Sequence, residues 1–319
     1  MHRFDVCNGD ADGLCAVLQW RQVHAQAATL VTGLKREIEL LGQVPAKAGD
    51  EVLVCDLSMQ RNLKPLQQLL AQGVQVRYVD HHAVDAVPQH PGLRATIDTD
   101  ARVCTSLLMD RLLQGRCRAW ALVGAYGDNL GEVADALAVE RGLDEAARRS
   151  LRRLGEAINY NAYGDNPADQ HIAPQVLYAR LARFADPLQA WRQDPIGEEL
   201  DALRQADLAR ALQQTVTPAG DRARWMALPD APWSRRVIGI LANELARAEP
   251  GRAVAVLKAD GRRGHVVSLR APLSRPGGAD AFCRRFGGGG RAGAAGIDHL
   301  PEHEHERFVA ELSVARWGV

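Results

Sequence analysis

What this chain lacks narrows the field first. Neither sign of charge is in excess: Lys plus Arg and Asp plus Glu each total 39, so the formal net charge is zero. Bulk charge therefore argues neither for a nucleic-acid coat nor for an anionic membrane partner, although a local basic pocket remains compatible with it. No apolar run approaches the length of a membrane span, so no membrane partner is expected. The opening residues MHRFDVCNGD lack the apolar core of a signal peptide. Six cysteines (Cys7, Cys15, Cys55, Cys104, Cys117, Cys283) are scattered without a CxxC pair, which excludes a zinc knuckle and a disulfide frame. They read as reduced and mostly buried, and the expected location is the cytoplasm. There is no internal repeat and no low-complexity segment beyond one Gly-rich loop.

The 319 residues, 46% of them apolar, suffice for one large or two medium soluble domains. The first half alternates strand-like and helix-like segments. RFDVC precedes a helix around Leu14–His24. EVLVCDLS (51–58) precedes a helix over 62–73. VQVRYVDHH (74–82) is β-rich, ARVCTSLLMDRLLQG (101–115) is helical in period, and WALVGAYGDN (120–129) is apolar and of less certain element. Such alternation predicts a parallel, two-faced α/β sheet, whose ligands bind at the carboxyl ends of the strands. From about 130 to 185 the chain reads as helical and Arg/Ala-rich, interrupted by a polar loop at 159–171. Residues 189–215 read as one long polar helix. Strand-like runs (RWMAL, AVAVLK, HVVSLRAP) then return, and a Gly-rich loop, FGGGGRAGAAG (286–296), precedes a final helix. The Arg run at 148, 149, 152 and 153 reads as a solvated helix face. The predicted architecture is α/β: an N-terminal parallel-sheet domain (1–185), a helical linker (186–217) and a smaller C-terminal α/β domain (218–319).

Polar residues recur where the strands end: Asp10, Asp12, Asp56, Asp80, His81, His82 and Asp128. A single Asp there is commonly a helix N-cap. Several at one sheet edge repel one another and resist desolvation unless a cation joins them. Mixed Asp and His donors suit manganese, iron, cobalt or zinc better than calcium. Asp-x-Asp can address two ions from one turn, and two metals about 3.5–4 Å apart are the standard apparatus for hydroxide attack on phosphorus. A calcium loop is the competing reading of NGDADG. It fails because its twelfth position is Gln19 rather than Glu and no helix precedes it. Of the remaining histidines only His171, in the polar loop, is retained as an outside candidate. The Gly-rich loop follows a helix-like ADAFCRRF rather than a strand, against a dinucleotide-binding order.

Asp10-x-Asp12-Gly13, Asp56, Asp80-His81-His82 and Gly127-Asp128-Asn129 together resemble the four ordered motifs of the DHH phosphoesterases. Val267-Ser268-Leu269-Arg270 and the stretch from Gly288 to Gly296 resemble the VSLR strand and GGGHxxAAG loop of the companion DHHA1 domain. That family, which includes RecJ-like exonucleases and short-oligonucleotide phosphodiesterases, hydrolyses phosphoesters with manganese. The resemblance implies two Mn2+ ions, other divalent metals being possible. It implies Asp10 on one ion, Asp12 on the other, Asp56 bridging, and His81 and Asp128 completing the second site. His82 would face the scissile phosphate and Asp80 would orient a histidine. Gly288, Gly289 and Gly290 would let backbone approach the substrate, and Arg270 and Arg291 would clamp a phosphate or nucleotide end. The cleft between the domains would be the substrate site. Two positions depart from the pattern. A family His four residues before the first Asp is here Val6, so the first metal is expected to bind weakly, with Asn8 as a weak substitute contact. The His of GGGHxxAAG is here Arg291.

The expected activity is hydrolysis of small nucleotidic phosphoesters such as short oligonucleotides or dinucleotides. Zero net charge disfavours a processive nuclease on long strands. The alternatives are a nucleotide phosphomonoesterase of the phosphoadenosine-phosphate type and a nucleotide-binding module with an impaired metal site. An oligomer is compatible with all three.

Overall fold

A computed structural model describes residues 1–318. The chain divides into two compact units, Met1–Ala202 and Leu203–Val319. In the first, β1 (Arg3–Cys7) leads through α1 (Ala11–Val23) to a short β2 (Thr29–Val31), then to β3 (Glu51–Cys55), α2 (Met59–Ala71), β4 (Gln75–Asp80) and β5 (Leu93–Ile97). The strands form one sheet in the order β2-β1-β3-β4-β5, every neighbouring pair parallel. With this order the connections leave β1 in one direction and return to β3 in the other. The carboxyl ends of β1 and β3 therefore flank the topological switch point, where open α/β sheets bind ligands. Register aligns Cys7 with Cys55 and Cys55 with Val79, so Asn8, Asp56 and Asp80 leave the sheet in one row.

Both faces of the sheet are covered. On one, α2 packs Met59, Leu66, Leu69 and Leu70 against Val6, Val52, Val54 and Tyr78. On the other lie α1 and the helices α3 (Thr105–Leu112), α4 (Arg118–Gly127), α5 (Gly131–Glu140), α6 (Glu145–Ala162), α7 (Pro174–Leu181) and α8 (Pro187–Gln193). Residues 11–19 of α1 are all buried, so this helix is a central rod with no solvent face over its first half. Its start is set by Asp10, whose Oδ1 accepts from Gly13 N at 3.1 Å. Trp120, wholly buried, donates its indole N–H to the Ala185 carbonyl at 3.1 Å, satisfying the polar atom that its burial would otherwise orphan.

Three sequence expectations change here. WALVGAYGDN is helix α4, so Asp128 caps a helix rather than ending a strand. The polar loop begins later than expected, because α6 continues to Ala162. The long helix over 189–215 is broken at Asp194-Pro195: Pro195 has no N–H to continue the ladder, and Asp194 Oδ1 accepts from Ile196 N at 3.0 Å to start α9 (Ile196–Leu212). The two units divide within α9. The Arg run is ion-paired along α6: Arg149 with Glu145, Arg152 with Asp135, Arg153 with Asp201.

The second unit holds β6 (Thr217–Ala219), β7 (Ala223–Leu228), α10 (Pro232–Ala248), β8 (Ala253–Ala259), β9 (Gly264–Arg270), α11 (Ala279–Arg284), β10 (Gly289–Arg291), β11 (Ala294–Pro301) and α12 (His305–Val314). Its mixed sheet runs β10-β11-β9-β8-β7-β6, with β7 and β8 parallel and the other pairs antiparallel. Phe282, Phe308 and Trp317 close its core over Leu257, Leu269 and Ile297. The Gly-rich stretch is a hairpin rather than a loop, since Gly289–Arg291 pairs with Ala294–Gly296.

Candidate metal centre

The sheet register and the helix ends bring together the first-unit residues singled out above. Asp12 sits in the first turn of α1, 1% exposed. Both its oxygens accept backbone N–H groups from the start of α3, Thr105 N and Ser106 N, each at 2.7 Å. Asp56, buried just beyond β3, has φ 57°, a left-handed conformation costing roughly 1–2 kcal/mol in an L-residue. Such strain persists where surrounding structure over-determines it, commonly at functional sites. Thr105 Oγ1 donates to Asp56 Oδ1 at 3.3 Å.

His81 follows β4 and is 5% exposed. Its Nδ1 lies 3.0 Å from the Val103 carbonyl, which fixes the Nδ1–H tautomer and leaves Nε2 as the ligating nitrogen. That Nε2 is 3.4 Å from Asp56 Oδ1 and 4.0 Å from Asp128 Oδ2. One ligand atom from each of Asp12, His81 and Asp128 lies within 4.8 Å of the others, and so do those of Asp56, His81 and His82. His82 is half-exposed. Its Nδ1 is 2.7 Å from Oδ1 of Asp80, which is fully buried and whose Oδ2 has no partner among the described residues.

The electrostatics of this cluster are those of a site short of positive charge. Burial, followed by the charges of Asp10 and Asp12, pushes the Asp56 carboxyl well above the usual carboxylate range. Burial and then Asp12 lift Asp128 to about 6, against the pull of Lys35 and His81. Burial disfavours the His81 imidazolium, but the hydrogen bond and charge of Asp56, then Asp12 and Asp128, override it and raise the ring to about 10. A proton on His81 thus does the neutralising that a cation would do. Oxygen and imidazole donors in this number fit a divalent ion of the manganese or zinc kind.

Asp10 behaves differently. Burial would raise it, but the adjacent Lys35 charge and hydrogen bond hold it below the usual carboxylate range. Its Oδ1 accepts from Gly13 N, and its Oδ2 is paired with the Lys35 ammonium. Burial likewise opposes the Lys35 charge, but Asp10 overrides it and holds the ammonium well above its ordinary range. Asn8, expected as a weak contact to the first metal, instead turns both side-chain atoms onto backbone. Its Nδ2 donates to the Lys35 carbonyl at 3.1 Å, and its Oδ1 accepts from Asp10 N at 3.3 Å. Val6 is wholly buried within β1.

The residues expected to hold substrate lie in the second unit. Arg270, at the end of β9, makes four hydrogen bonds within its own unit. Its Nε donates to Asn243 Oδ1 at 2.6 Å, Nη1 to Ser268 Oγ and the Leu269 carbonyl at 3.1 Å each, and Nη2 to the Gly239 carbonyl at 3.3 Å. Arg291 is exposed at the end of β10. The glycines serve the hairpin: a Cβ at Gly288 would stand 2.2 Å from the Gly296 carbonyl oxygen. His171 lies outside the cluster, its Nε2 2.9 Å from the Tyr160 hydroxyl.

Lys35, its partner Asn159 and the α3 amides were missed from sequence. Their one available signal was scarcity, since only four of the 39 basic residues are lysine.

No family model and no curated protein sequence matches the chain. Solved structures do. The DHH domain of a member of the s1p family of ribosomal proteins aligns over 98% of this chain and 85% of its own, with TM-score 0.68 and 14% identity. RecJ from Thermus thermophilus, in complex with Mn2+, aligns over 98% of this chain with TM-score 0.60 and 21% identity; the alignment covers 51% of RecJ's own length. The pGpG-specific phosphodiesterase PggH from Vibrio cholerae aligns over 98% and 99% of the two chains, with TM-score 0.57 and 12% identity. These likenesses establish the fold: an α/β DHH-type architecture over nearly the whole chain.

Proposed function

We propose that this protein is a divalent-metal-dependent phosphoesterase, using manganese, that hydrolyses small nucleotidic phosphodiesters such as dinucleotides and short oligonucleotides. The observation that carries the reading is the convergence of Asp12, Asp56, His81 and Asp128 at the switch point of the parallel sheet, where burial and then the charge of Asp12 raise Asp128 to about 6, and Asp56 raises His81 to about 10 against the effect of burial. RecJ, of the same fold, binds Mn2+, and PggH is a phosphodiesterase acting on a dinucleotide.

Asp12, Asp56, His81 and Asp128 would hold the ion, which when bound supplies Lewis-acid polarisation of a phosphoryl oxygen and of the attacking water. Asp80 holds the His82 ring through Nδ1, so Nε2 is the ring nitrogen left to face a phosphoryl oxygen. Thr105 and Ser106 amides fix Asp12, and the Val103 carbonyl fixes His81. In the second unit Arg291 is the better candidate for a nucleotide phosphate, because Arg270 would have to give up internal hydrogen bonds to bind one. No helix among the described residues is long and apolar enough to cross a membrane.

A hydrolysis screen with Mn2+, running from dinucleotides and cyclic dinucleotides to long single strands, tests the reading. Turnover should be highest on the shortest substrates. Preference for 3′-phosphoadenosine-5′-phosphate would favour the phosphomonoesterase reading. Absence of turnover on every phosphoester would leave only a binding module.

A further inference from the structure

The Asp10 side of the centre is built around a residue that no metal-ligand reasoning requires. We propose that the Lys35 ammonium is the second cation of this site, holding Asp10 in place of a metal ion, so that the centre takes one divalent ion. This rests on the proposed metal-dependent hydrolysis and specifies its machinery.

The geometry is that of a fixed element. Lys35 lies between β2 and β3, and its backbone is tied at both ends. Lys35 N donates to the Ala162 carbonyl at 2.9 Å, and its own carbonyl accepts from Asn8 Nδ2 at 3.1 Å. The loop can approach this closely only because residue 9 is glycine: a Cβ there would stand 1.9 Å from the Gly33 carbonyl oxygen. The ammonium donates to Asp10 Oδ2 and, at 2.9 Å, to Asn159 Oδ1 of α6, and it lies 5.6 Å from the Tyr163 ring centre. Three separate segments therefore shape one ammonium pocket, in which the Lys35 side chain is 27% exposed.

A metal ion at Asp10 would meet a cation already in place: Oδ1 accepts from the Gly13 amide and Oδ2 is paired with the Lys35 ammonium, whereas the two partners of Asp12 are neutral amides that leave its charge to an ion. Val6, wholly buried in the core of β1, offers no donor, and both polar atoms of Asn8 are turned to backbone. Among the described residues, neither group of side chains disposed to hold an ion includes Asp10. A metal would have to displace the ammonium and then sit beside it, two like charges at contact distance. Lysine suits the task in a chain whose basic residues are mostly arginine, because a compact ammonium is a point charge where a planar guanidinium needs a wider slot. Of its three N–H groups two are placed, and the third can meet an anionic phosphoryl oxygen.

The test is ion counting. Equilibrium dialysis of the intact protein against Mn2+, with metal analysis and low-temperature electron paramagnetic resonance, should give one ion per chain with the spectrum of an isolated Mn2+. Lys35→Met, assayed at the Mn2+ concentration that fills the wild-type site, should lose about 100-fold or more in turnover, whereas Lys35→Arg, which keeps the charge, should recover part of it. Two ions per wild-type chain with a spin-coupled spectrum would overturn the proposal and leave metal-dependent hydrolysis standing. Unchanged turnover in a folded Lys35→Met would also overturn it. No bound ion and no turnover in the wild type would overturn the functional reading itself, and this proposal with it. If Lys35→Met does not fold, the wild-type count still decides.

Discussion

Replacing Asp128 by Asn keeps the shape of the side chain and removes its charge. In the metal-free protein the Asp128 carboxyl titrates at about 6 against an ordinary 3.8, chiefly through burial and the neighbouring Asp12. A folded-state pKa above the unfolded value means that the folded chain binds the proton more tightly. That contribution to stability is present at low pH and is lost as pH rises through about 6. The shift of about 2 units corresponds to about 3 kcal/mol at most. Partial exposure of the carboxylate, 23%, trims this to roughly 1–3 kcal/mol. Asp128→Asn should therefore stabilise the metal-free protein at pH 8, raising Tm by roughly 2–12 °C for a domain of this size. At pH 5 the advantage should narrow by about 1.4 kcal/mol, because wild-type Asp128 is then largely protonated. Mn2+ should reverse the order: at a hundredfold excess over Kd it stabilises the wild type by about 2.7 kcal/mol and the variant by much less. The assay is thermal unfolding by circular dichroism in EDTA and in Mn2+, at both pH values. A metal-free Asp128→Asn protein no more stable than wild type at pH 8, or equal Mn2+ stabilisation of both, would refute this account of the site.

Three further outcomes are expected. Asp56→Ala and His81→Ala should each lower Mn2+-dependent hydrolysis by about 100-fold or more in steady-state assays, since each removes a central donor; full activity of both folded variants would sink the site assignment. Arg21→Ala should destabilise the first unit by about 3–5 kcal/mol in urea unfolding, because Asp5, 2% exposed in the middle of β1, loses the two bonds of 2.7 and 2.6 Å that compensate its charge. Arg291→Ala should raise KM for a nucleotidic substrate with little change in kcat, the pattern of a residue that binds ground and transition states alike; an unchanged KM would remove Arg291 from the substrate site.

The acidic and imidazole residues at the strand ends were legible because two rules coincide. Apolar runs such as EVLVC and QVRYVD read as parallel strands, and parallel strands present ligand groups at their carboxyl ends. Asp128 lacked that support. WALVGAYG is buried on nearly every side, and a short apolar run without a polar face has the same pattern in either element. Lys35 was out of reach for a different reason. Its partners Asp10 and Asn159 are 25 and 124 residues away, and nothing in the local stretch TGLKREI announces that the loop will fold back over the aspartates. The glycines of FGGGGRAGAAG were visible as permissive backbone. Their actual neighbour, the strand they pair with, is a tertiary fact.

The two amides at the start of α3 end on the same carboxylate that would hold an ion. Thr105 and Ser106 N–H are thus built-in reporters: their proton and nitrogen resonances sense the electron density on the two oxygens of Asp12. An isotope-labelled sample titrated with a diamagnetic ion such as Zn2+ should move these two peaks first among the amides of α3. Occupancy of the centre could then be followed from two backbone signals, without substrate and without turnover.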